Sequence, residues 1–166
     1  QIKETVGALL VEARLKSRNL NPQDIDDVLT LIMPQAHRKA LHVDVHNDLV
    51  ADVPLPATLI RQILINLLLN AVEATLQQGI IACEIALRDG HLRLFVNNDG
   101  KLPTAEQITH LFDPFFSLSD NGHGLGLWVT YQIVHQLGGR IAATTEGDRM
   151  QFIVEIPVEI PVEVAA

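Results

Sequence analysis

A long apolar stretch that carries one polar line is the clearest pattern in the chain. Between Leu59 and Ala74, four polar residues recur at helical spacing: Gln62, Asn66, Asn70 and Glu73. That spacing places them on one face of a helix that is otherwise apolar. Asparagine is a poor helix former because its amide competes for backbone hydrogen bonds, so two asparagines here indicate a polar site. The exposed face of an ordinary amphipathic helix is the alternative interpretation.

Alternating and turn-bounded runs predict the remaining elements. Strands are predicted at 42–46, at 80–88 and 91–97 around Asp89-Gly90, and at 140–145 and 150–157 around Gly147-Asp148. Further helices are predicted from residue 1 to about 18, from about 26 to 39, near 104–111 and at 128–137, and the asparagine-bearing helix should close near Gly79. Asn97-Asn-Asp-Gly100 reads as a turn. This order predicts helices packed on one mostly antiparallel sheet.

A glycine cluster, Gly122-His-Gly-Leu-Gly-Leu127, precedes the helix predicted at 128–137. Glycines before a helix let backbone amides approach phosphate oxygens, and the helix N-terminus adds partial positive charge. The cluster therefore predicts an anion cradle. A dinucleotide-binding turn is excluded because the Gly-x-Gly-x-x-Gly order and the preceding strand are missing, and no Gly-Lys-Ser/Thr loop occurs.

Composition narrows the class of protein. The 166 residues are 48% hydrophobic and 19% charged, which suits one sizeable core. The longest apolar stretch is interrupted by Asn66 and Asn70, short of the roughly 20 apolar residues of a membrane span, so we expect no direct membrane contact by this segment. A net charge of −8 opposes nucleic-acid binding. The single cysteine, Cys83, fits a reducing cytoplasm, although the parent protein could still be membrane-anchored.

Four features follow one another in a specific order: the asparagine helix, the Asp99-Gly100 turn after a strand, Phe112-Asp-Pro-Phe-Phe116, and the Gly-x-Gly-Leu-Gly-Leu helix start. Together they resemble the ATP-binding catalytic domain of sensor histidine kinases over about residues 22–157. This branch shares its fold with gyrase, Hsp90 and MutL. The resemblance implies an α/β two-layer sandwich of the Bergerat type, with a mixed, mostly antiparallel sheet covered on one face by helices.

The resemblance also implies a domain organisation and ligands. Residues 1–20 correspond to the end of a dimerisation and phosphoacceptor helix, 21–157 to the ATP-binding kinase domain, and 158–166 to a tail. ATP and Mg²⁺ are the expected ligands. The implied nucleotide-binding residues are Asn66, Asn70, Glu73, Ala74, Asn98, Gly100, Leu102, Leu111, Phe112, Gly122, His123, Gly124, Leu125 and Gly126.

Two asparagines are the implied catalytic residues. Asn70 resembles the family's Mg²⁺ ligand, offering an amide oxygen to a hard cation. Asn66 stands where gyrase-like ATPases carry a glutamate that activates water, and an amide cannot take a proton, so ATP would survive until a histidine arrives. Glu73 is expected to orient this face by hydrogen bonding, with an ordinary surface carboxylate as the alternative.

The adenine position departs from the family pattern. Asn98 stands where the family has an aspartate, so it would accept from the exocyclic amine through its oxygen and donate to the ring nitrogen through its NH₂. Asp99 should point elsewhere, and a turn-only role for Asn98 is the alternative. Leu102, Ser119 and Met150 are further departures, which could reduce affinity or turnover.

Aromatic rings and histidines nearby have competing interpretations. Phe112, Phe115 and Phe116 are interpreted as packing anchors that position a short lid, about Ser117 to Gly122, rather than as a base-stacking platform. His123 could donate to a phosphate or simply face solvent. No histidine lies in a phosphoacceptor context, so the acceptor is expected on a helical hairpin absent from this chain.

The expected function is transfer of the γ-phosphoryl group of ATP to a histidine on that hairpin, for relay to the receiver domain of a response regulator. The partners are the hairpin, of the same chain or of a dimer mate, and the receiver domain. A degenerate kinase-like regulatory module with weak or no nucleotide binding is the alternative. An ATPase or serine kinase of the same fold is a third, which Asn66 disfavours.

Overall fold

The computed structural model describes residues 2–118 and 124–158. Within these residues the helices are α1 (Ile2–Lys16), α2 (Pro22–Arg38), α3 (Ala57–Ala74), α4 (Ala105–Thr109) and α5 (Gly126–Gln136). The strands are β1 (Asn19–Leu20), β2 (His42–Asn47), β3 (Val53–Pro56), β4 (Ile80–Arg88), β5 (His91–Asp99), β6 (Arg140–Glu146) and β7 (Arg149–Pro157). The predicted tail lies outside this range apart from Val158.

The main sheet has five strands in the order β2-β4-β5-β7-β6. Strand β2 pairs in parallel with β4, and the other pairs are antiparallel. Both predicted hairpins are present. In the first, Asp89 (φ 51°) and Gly90 (φ 73°) both adopt positive φ, the conformation for which Asp-Gly turns are selected. Strands β1 and β3, which the sequence analysis did not predict, form a separate antiparallel pair.

One face of the sheet is buried beneath the helices, as the alternating pattern predicts. On β4 the buried side chains are Ile81, Cys83 and Ile85, and on β5 they are Leu92, Leu94 and Val96. Helix α3 packs over β5 and between α2 and α5. The predicted two-layer α/β sandwich is confirmed. Burial raises the pKa of the Cys83 thiol to about 12, so this cysteine is a neutral core residue.

Helix α2 begins four residues earlier than the predicted start at Asp26. Asn21 and Asp24 form a capping box, in which each side chain accepts from the other's backbone N–H, and Pro22 occupies the first turn. These are recognisable helix-start signals, so the predicted start was wrong for a local reason. Pro34 lies inside the helix, where its ring removes one backbone hydrogen bond without ending the element.

Helix α3 ends at Ala74 instead of near Gly79. Its carboxyl end is capped by the ammonium group of Lys39, which donates to the carbonyl oxygens of Val72 (2.7 Å), Glu73 (3.0 Å) and Thr75 (2.8 Å). A cation at this end satisfies carbonyls that have no intrahelical partner and complements the helix dipole.

By length and composition alone, α3 could cross a membrane, and in the described chain it is the one helix that meets this criterion. Half of its apolar window is buried inside the protein. Its polar positions face a cavity and another helix, as described below. We therefore interpret α3 as the core helix of the sandwich.

A buried carboxylate joins the first helices to α3. The Asp24 side chain is fully buried and accepts from the Arg18 guanidinium at 2.5 and 2.8 Å and from Arg61 at 3.3 Å. The Arg18 hydrogen bonds lower the pKa of Asp24 to about 2, against the opposing effect of burial, and the Asn21 backbone N–H adds to the lowering. This cluster lies at the junction of α1, α2 and α3.

Candidate functional site

A cavity of about 370 Å³ opens between the end of α3, the loop after β5 and the buried face of β7. That volume lies in the range of small-molecule sites, roughly 300–1,000 Å³. The residues lining it are Asn70, Glu73, Ala74, Asn98, Lys101, Leu102, Pro103, Gln107, Leu111, Ser117, Leu118, Met150 and Phe152. Six residues of the predicted nucleotide set are among them: Asn70, Glu73, Ala74, Asn98, Leu102 and Leu111.

Asn98 lies on the floor of this cavity and is 2% exposed. Its amide nitrogen donates to the backbone oxygen of Asp99 at 2.9 Å. Its amide oxygen is buried and has no hydrogen-bond partner in the described part of the chain. An unpaired buried acceptor is costly, so this oxygen calls for a donor from a ligand. The contact predicted between this oxygen and an adenine amine stays a prediction.

The local structure around Asn98 differs from the predicted turn. Residues 97–99 belong to β5, where Asn98 lies between Ile81 of β4 and Met150 of β7. Sheet pairing on both sides overrides the turn propensity of these residues. Asp99 does point elsewhere, as predicted, because its carboxylate accepts from the Ile80 backbone N–H at 2.9 Å.

Gly100 brings the end of β5 against the end of α3. Its φ is 138°, and an added Cβ would lie 2.4 Å from the Ala74 carbonyl oxygen. A residue with a side chain therefore cannot occupy this position without displacing the backbone. Gly100 does not line the cavity, so its contribution is to place Asn98 and Ala74 side by side.

The polar line on α3 divides into two parts. Asn70 and Glu73 line the cavity, and neither side chain hydrogen-bonds to another residue that the structure describes. The hydrogen bonds by which Glu73 was expected to orient this face are therefore not seen. The half-buried Asn70 amide keeps its oxygen available, which suits a ligand to a hard cation.

Asn66 is engaged elsewhere. Its amide nitrogen donates to the carbonyl oxygen of Gly126 and to the hydroxyl of Thr130, both at 3.1 Å, and its oxygen accepts from Gln62 at 2.8 Å. It does not line the cavity. The predicted nucleotide contact of Asn66 thus has no counterpart in the cavity, because a neighbouring helix takes up the amide.

The glycine cluster is described from Gly124 onward. Gly124 has φ 74°, its carbonyl accepts from the Phe115 N–H at 2.9 Å, and an added Cβ would lie 2.3 Å from the Phe115 backbone. Gly126 differs, because its nearest neighbour would be the Asn66 amide carbon at 4.0 Å. Leu125 precedes the first turn of α5. As far as the described residues show, there is space beside Gly126 for the close approach of a ligand.

The three phenylalanines do not share one environment. Phe112 packs on Tyr131 and Phe152, with ring centroids 5.6 and 6.3 Å apart, and Phe116 packs against the core. Phe115 is 63% exposed with φ 68°, so its interpretation as a packing anchor was wrong. Its backbone, which holds Gly124, is the part that contributes to the loop.

Some predicted residues cannot be placed, and some lining residues were missed. Gly122, His123 and the departure at Ser119 lie outside the described residues. The sequence analysis did not single out four lining residues, Lys101, Pro103, Gln107 and Phe152, and it predicted Ser117 and Leu118 only as part of the lid. A signal existed for Gln107, because Thr104-x-x-Gln107 forms a capping box whose bonds hold its side chain.

Comparison with known proteins agrees with this arrangement. The profile of the histidine kinase-, DNA gyrase B- and HSP90-like ATPases matches residues 56–160. The sensor histidine kinase ZraS of Escherichia coli is 32% identical over 138 residues, covering 82% of this chain and 30% of that protein. Sporulation kinase E of Bacillus subtilis is 30% identical over 141 residues, covering 82% and 19%. The chain thus spans less than a third of these relatives.

Solved structures show the same relationship. The nucleotide-free catalytic domain of histidine kinase ThkA has a TM-score of 0.73 at 30% identity, covering 82% of this chain and 91% of that one. Full-length ShkA in complex with AMPPNP has a TM-score of 0.77 at 23% identity, covering 94% and 34%, and shares the fold. The chain belongs to the histidine kinase-, DNA gyrase B- and HSP90-like ATPase family and is homologous to sensor histidine kinases.

Proposed function

We propose that this chain is the ATP- and Mg²⁺-dependent catalytic domain of a sensor histidine kinase. The observation that carries the proposal is the amide oxygen of Asn98, which is buried without a hydrogen-bond partner among the described residues, in a residue that lines the same cavity as Asn70. The cavity is large enough for a nucleotide. It offers a buried acceptor for the base and an amide oxygen for a metal ion bound to the phosphates.

Asn98 would read the base. Its oxygen accepts from the exocyclic amine of adenine, whereas guanine presents a carbonyl oxygen at the corresponding position. One N–H of its amide already donates to Asp99, so only the other is available for a ring nitrogen. The apolar side chains of Leu102, Leu111 and Met150 line the same cavity and would contact the flat faces of the base.

Asn70 would hold the metal. Mg²⁺, when bound, would neutralise charge on the phosphates and the transferring phosphoryl group. The described residues contain no cluster of three histidine, cysteine, aspartate or glutamate side chains, so most ligands to Mg²⁺ would come from phosphate oxygens and water. The Asn70 amide sets where the cation sits relative to the base.

Phosphoryl transfer requires positioning more than covalent chemistry by this chain. A ring nitrogen of the acceptor histidine forms the P–N bond as the bond from the γ-phosphorus to the β–γ bridging oxygen breaks, and ADP leaves with that electron pair. Asn66 offers no base to activate water, because an amide does not take up a proton near neutral pH, and its oxygen and nitrogen are in addition hydrogen-bonded within the protein. This supports a kinase over an ATPase of the same fold.

The proposed partners are a helical hairpin that carries the acceptor histidine and the receiver domain of a response regulator. Helix α1, with its exposed apolar side chains Leu9 and Val11, is proposed as the end of the phosphoacceptor helix. Because ATP is cytoplasmic and Cys83 is a single reduced thiol, we place this domain in the cytoplasm, whatever anchors the parent protein.

Titration calorimetry of the protein with ATP, ADP and GTP, with and without Mg²⁺, tests the proposal. ATP should bind more tightly than GTP, and Mg²⁺ should tighten ATP. A second assay adds the hairpin of the same full-length protein and follows transfer of labelled γ-phosphate. The chain alone should not be labelled, whereas the hairpin should be.

The outcomes separate the candidate functions. A folded protein that binds no nucleotide at millimolar concentration contradicts the proposal and favours a regulatory module that signals by protein contacts. Binding accompanied by rapid release of inorganic phosphate favours an ATPase. Acid-labile phosphate on the chain alone would show that an acceptor histidine lies within it.

A further inference from the structure

A chain of polar contacts connects α3 to α5 beside the cavity. Gln62 donates to Asn66 at 2.8 Å, and Asn66 donates to the Gly126 carbonyl and the Thr130 hydroxyl, both at 3.1 Å. Thr130 in turn donates to the Gly126 carbonyl at 2.9 Å. We call the Asn66, Gly126 and Thr130 contacts the α3–α5 bridge.

Thr130 is a fully buried polar residue in a largely apolar helix. Its hydroxyl donates its single hydrogen to the Gly126 carbonyl and accepts a hydrogen bond from the Asn66 amide, so both of its hydrogen-bonding roles are filled within the bridge. Thr130 belongs neither to the sequence motifs described above nor to the cavity lining. Its position suggests a structural link between the two helices.

The bridge joins the two parts of the proposed phosphate-binding end. Asn66 precedes Asn70 by one turn on the same face of α3, and Gly126 is the first residue of α5. We propose that Thr130 is a positioning residue: through Asn66 and Gly126 it fixes the first turn of α5 relative to Asn70, so that one triphosphate reaches both. This inference rests on the proposed function.

Directional contacts explain why a hydroxyl serves here better than an apolar side chain. Apolar contacts between helices tolerate sliding and substitution, whereas hydrogen bonds require particular distances and angles. Asn66 of α3 donates to both the Gly126 carbonyl and the Thr130 hydroxyl of α5, so a shift of α5 along α3 would strain or break both bonds. The position of the first α5 turn, more than overall stability, should therefore depend on Thr130.

The substitution Thr130→Val tests this because valine keeps the shape and removes the hydroxyl. Thr75→Val is the matched control, since Thr75 is also buried and its hydroxyl donates to the carbonyl four residues earlier, Ala71, at 2.5 Å. Thr75 makes no contact with the bridge. Both variants lose one buried hydroxyl–carbonyl bond of the same kind, and only Thr130→Val also loses a hydrogen bond between the helices, the one that Asn66 donates to the Thr130 hydroxyl.

Affinities for Mg·ATP and for adenosine are measured by competition against a fluorescent ATP analogue. Thr130→Val should weaken Mg·ATP roughly three- to ten-fold, the effect of losing about one hydrogen bond, and leave adenosine unchanged. Thr75→Val should change neither affinity, even if thermal stability falls equally in both variants. Thr130→Ser, which keeps the hydroxyl, should restore the affinity for Mg·ATP.

Several results would overturn the inference. An unchanged ratio of Mg·ATP to adenosine affinity in folded Thr130→Val does so. If that variant does not fold, Asn66→Leu breaks the bridge from α3 and must show the same selective loss. A folded unmodified protein that binds no ATP overturns the proposed function as well, which distinguishes the two failures.

Discussion

The proposed base end of the cavity is lined by the central strand β5, whereas its proposed phosphate end is at Asn70, one turn of α3 beyond the contact of Asn66 with α5. Asn98 marks the base end and is 2% exposed, with sheet neighbours on both sides. Asn70 marks the phosphate end, half-buried and without a described hydrogen-bond partner. If the proposed function holds, the sheet fixes the residue that reads the base, and the position of α5 against α3 fixes the phosphate end.

This difference has a physical cause. Antiparallel pairing holds β5 along its length, so the backbone of Asn98 is fixed in position before any ligand binds. At the proposed phosphate end, α3 is joined to α5 by the α3–α5 bridge, and the described part of the glycine loop is held by the Phe115–Gly124 backbone contact. Substitutions at the two ends should therefore separate base affinity from the contribution of the phosphates.

The largest effect on nucleotide affinity is expected from Asn98→Ala at the base end. Removing the buried oxygen leaves the adenine amine without its acceptor, which should weaken ATP roughly 10- to 100-fold. Preference for ATP over GTP should fall with it. Calorimetry with both nucleotides measures this, and unchanged affinity and preference would mean that Asn98 does not contact the base.

The variant Asn98→Asp tests the same contact between this side chain and the base. An aspartate would add charge to the acceptor and strengthen the bond to the amine. However, the oxygen that replaces the amide nitrogen would face the Asp99 carbonyl, now 2.9 Å away, with no hydrogen between them. We expect lower thermal stability without ligand and partial recovery with ATP. Unaltered stability would indicate that the side chain can turn away from Asp99.

A smaller effect is expected from Asn70→Ala at the phosphate end. Loss of one amide ligand should weaken Mg·ATP roughly ten-fold and leave metal-free ATP binding nearly unchanged. Thermal stability without ligand should also be unchanged, because the amide makes no described hydrogen bond. A drop in stability, or equal losses with and without Mg²⁺, contradicts metal binding by Asn70.

The two described glycines of the cluster should behave in opposite ways. Gly126→Ala adds a methyl group where the protein leaves room, so stability should hold while Mg·ATP weakens about three-fold. Gly124→Ala adds strain at φ 74° and a clash with Phe115, so stability should fall by about 1–3 kcal/mol. Thermal unfolding and calorimetry of both variants distinguish them, and a common pattern would contradict this division.

Much of the fold follows from local patterns in the sequence. The Asp89-Gly90 hairpin and the alternating strands of the sheet were predicted because turn chemistry and period-two burial are properties of short segments. The start of α2 was predicted wrongly, although the capping box of Asn21 and Asp24 can be recognised in the sequence. The turn predicted at 97–99 was wrong because pairing with β4 and β7 is decided far away in sequence.

The candidate site, like the fold, was predicted only in part. Helical spacing placed Asn66 and Asn70 on one face, and the resemblance assigned both to the nucleotide, but only Asn70 lines the cavity. Spacing cannot reveal that Thr130, 64 residues further on, engages Asn66. Phe115 is exposed and has a positive φ where Gly124 approaches its backbone. No local sequence pattern predicts that approach.

The smallest effect on nucleotide affinity is expected from Asp24→Asn, at the junction of α1, α2 and α3 and not in the cavity lining. At pH 7 both forms should bind Mg·ATP within about two-fold, because Asp24 contacts neither end of the cavity. A larger loss would mean that this cluster is coupled to the cavity. The variant should instead be less stable at neutral pH.

The pH dependence of unfolding isolates that contribution. The pKa of Asp24 falls from 3.8 to about 2 on folding, so its stabilisation is complete above about pH 4 and is lost as the pH falls toward 2. Because the Arg18 side chain is 56% exposed, we expect about 1–2 kcal/mol rather than the full shift. Thermal unfolding between pH 7 and 2.5 should show this loss in the unmodified protein and not in Asp24→Asn, since asparagine has no proton to gain. Parallel acid profiles for the two proteins would assign the acid sensitivity to other carboxylates.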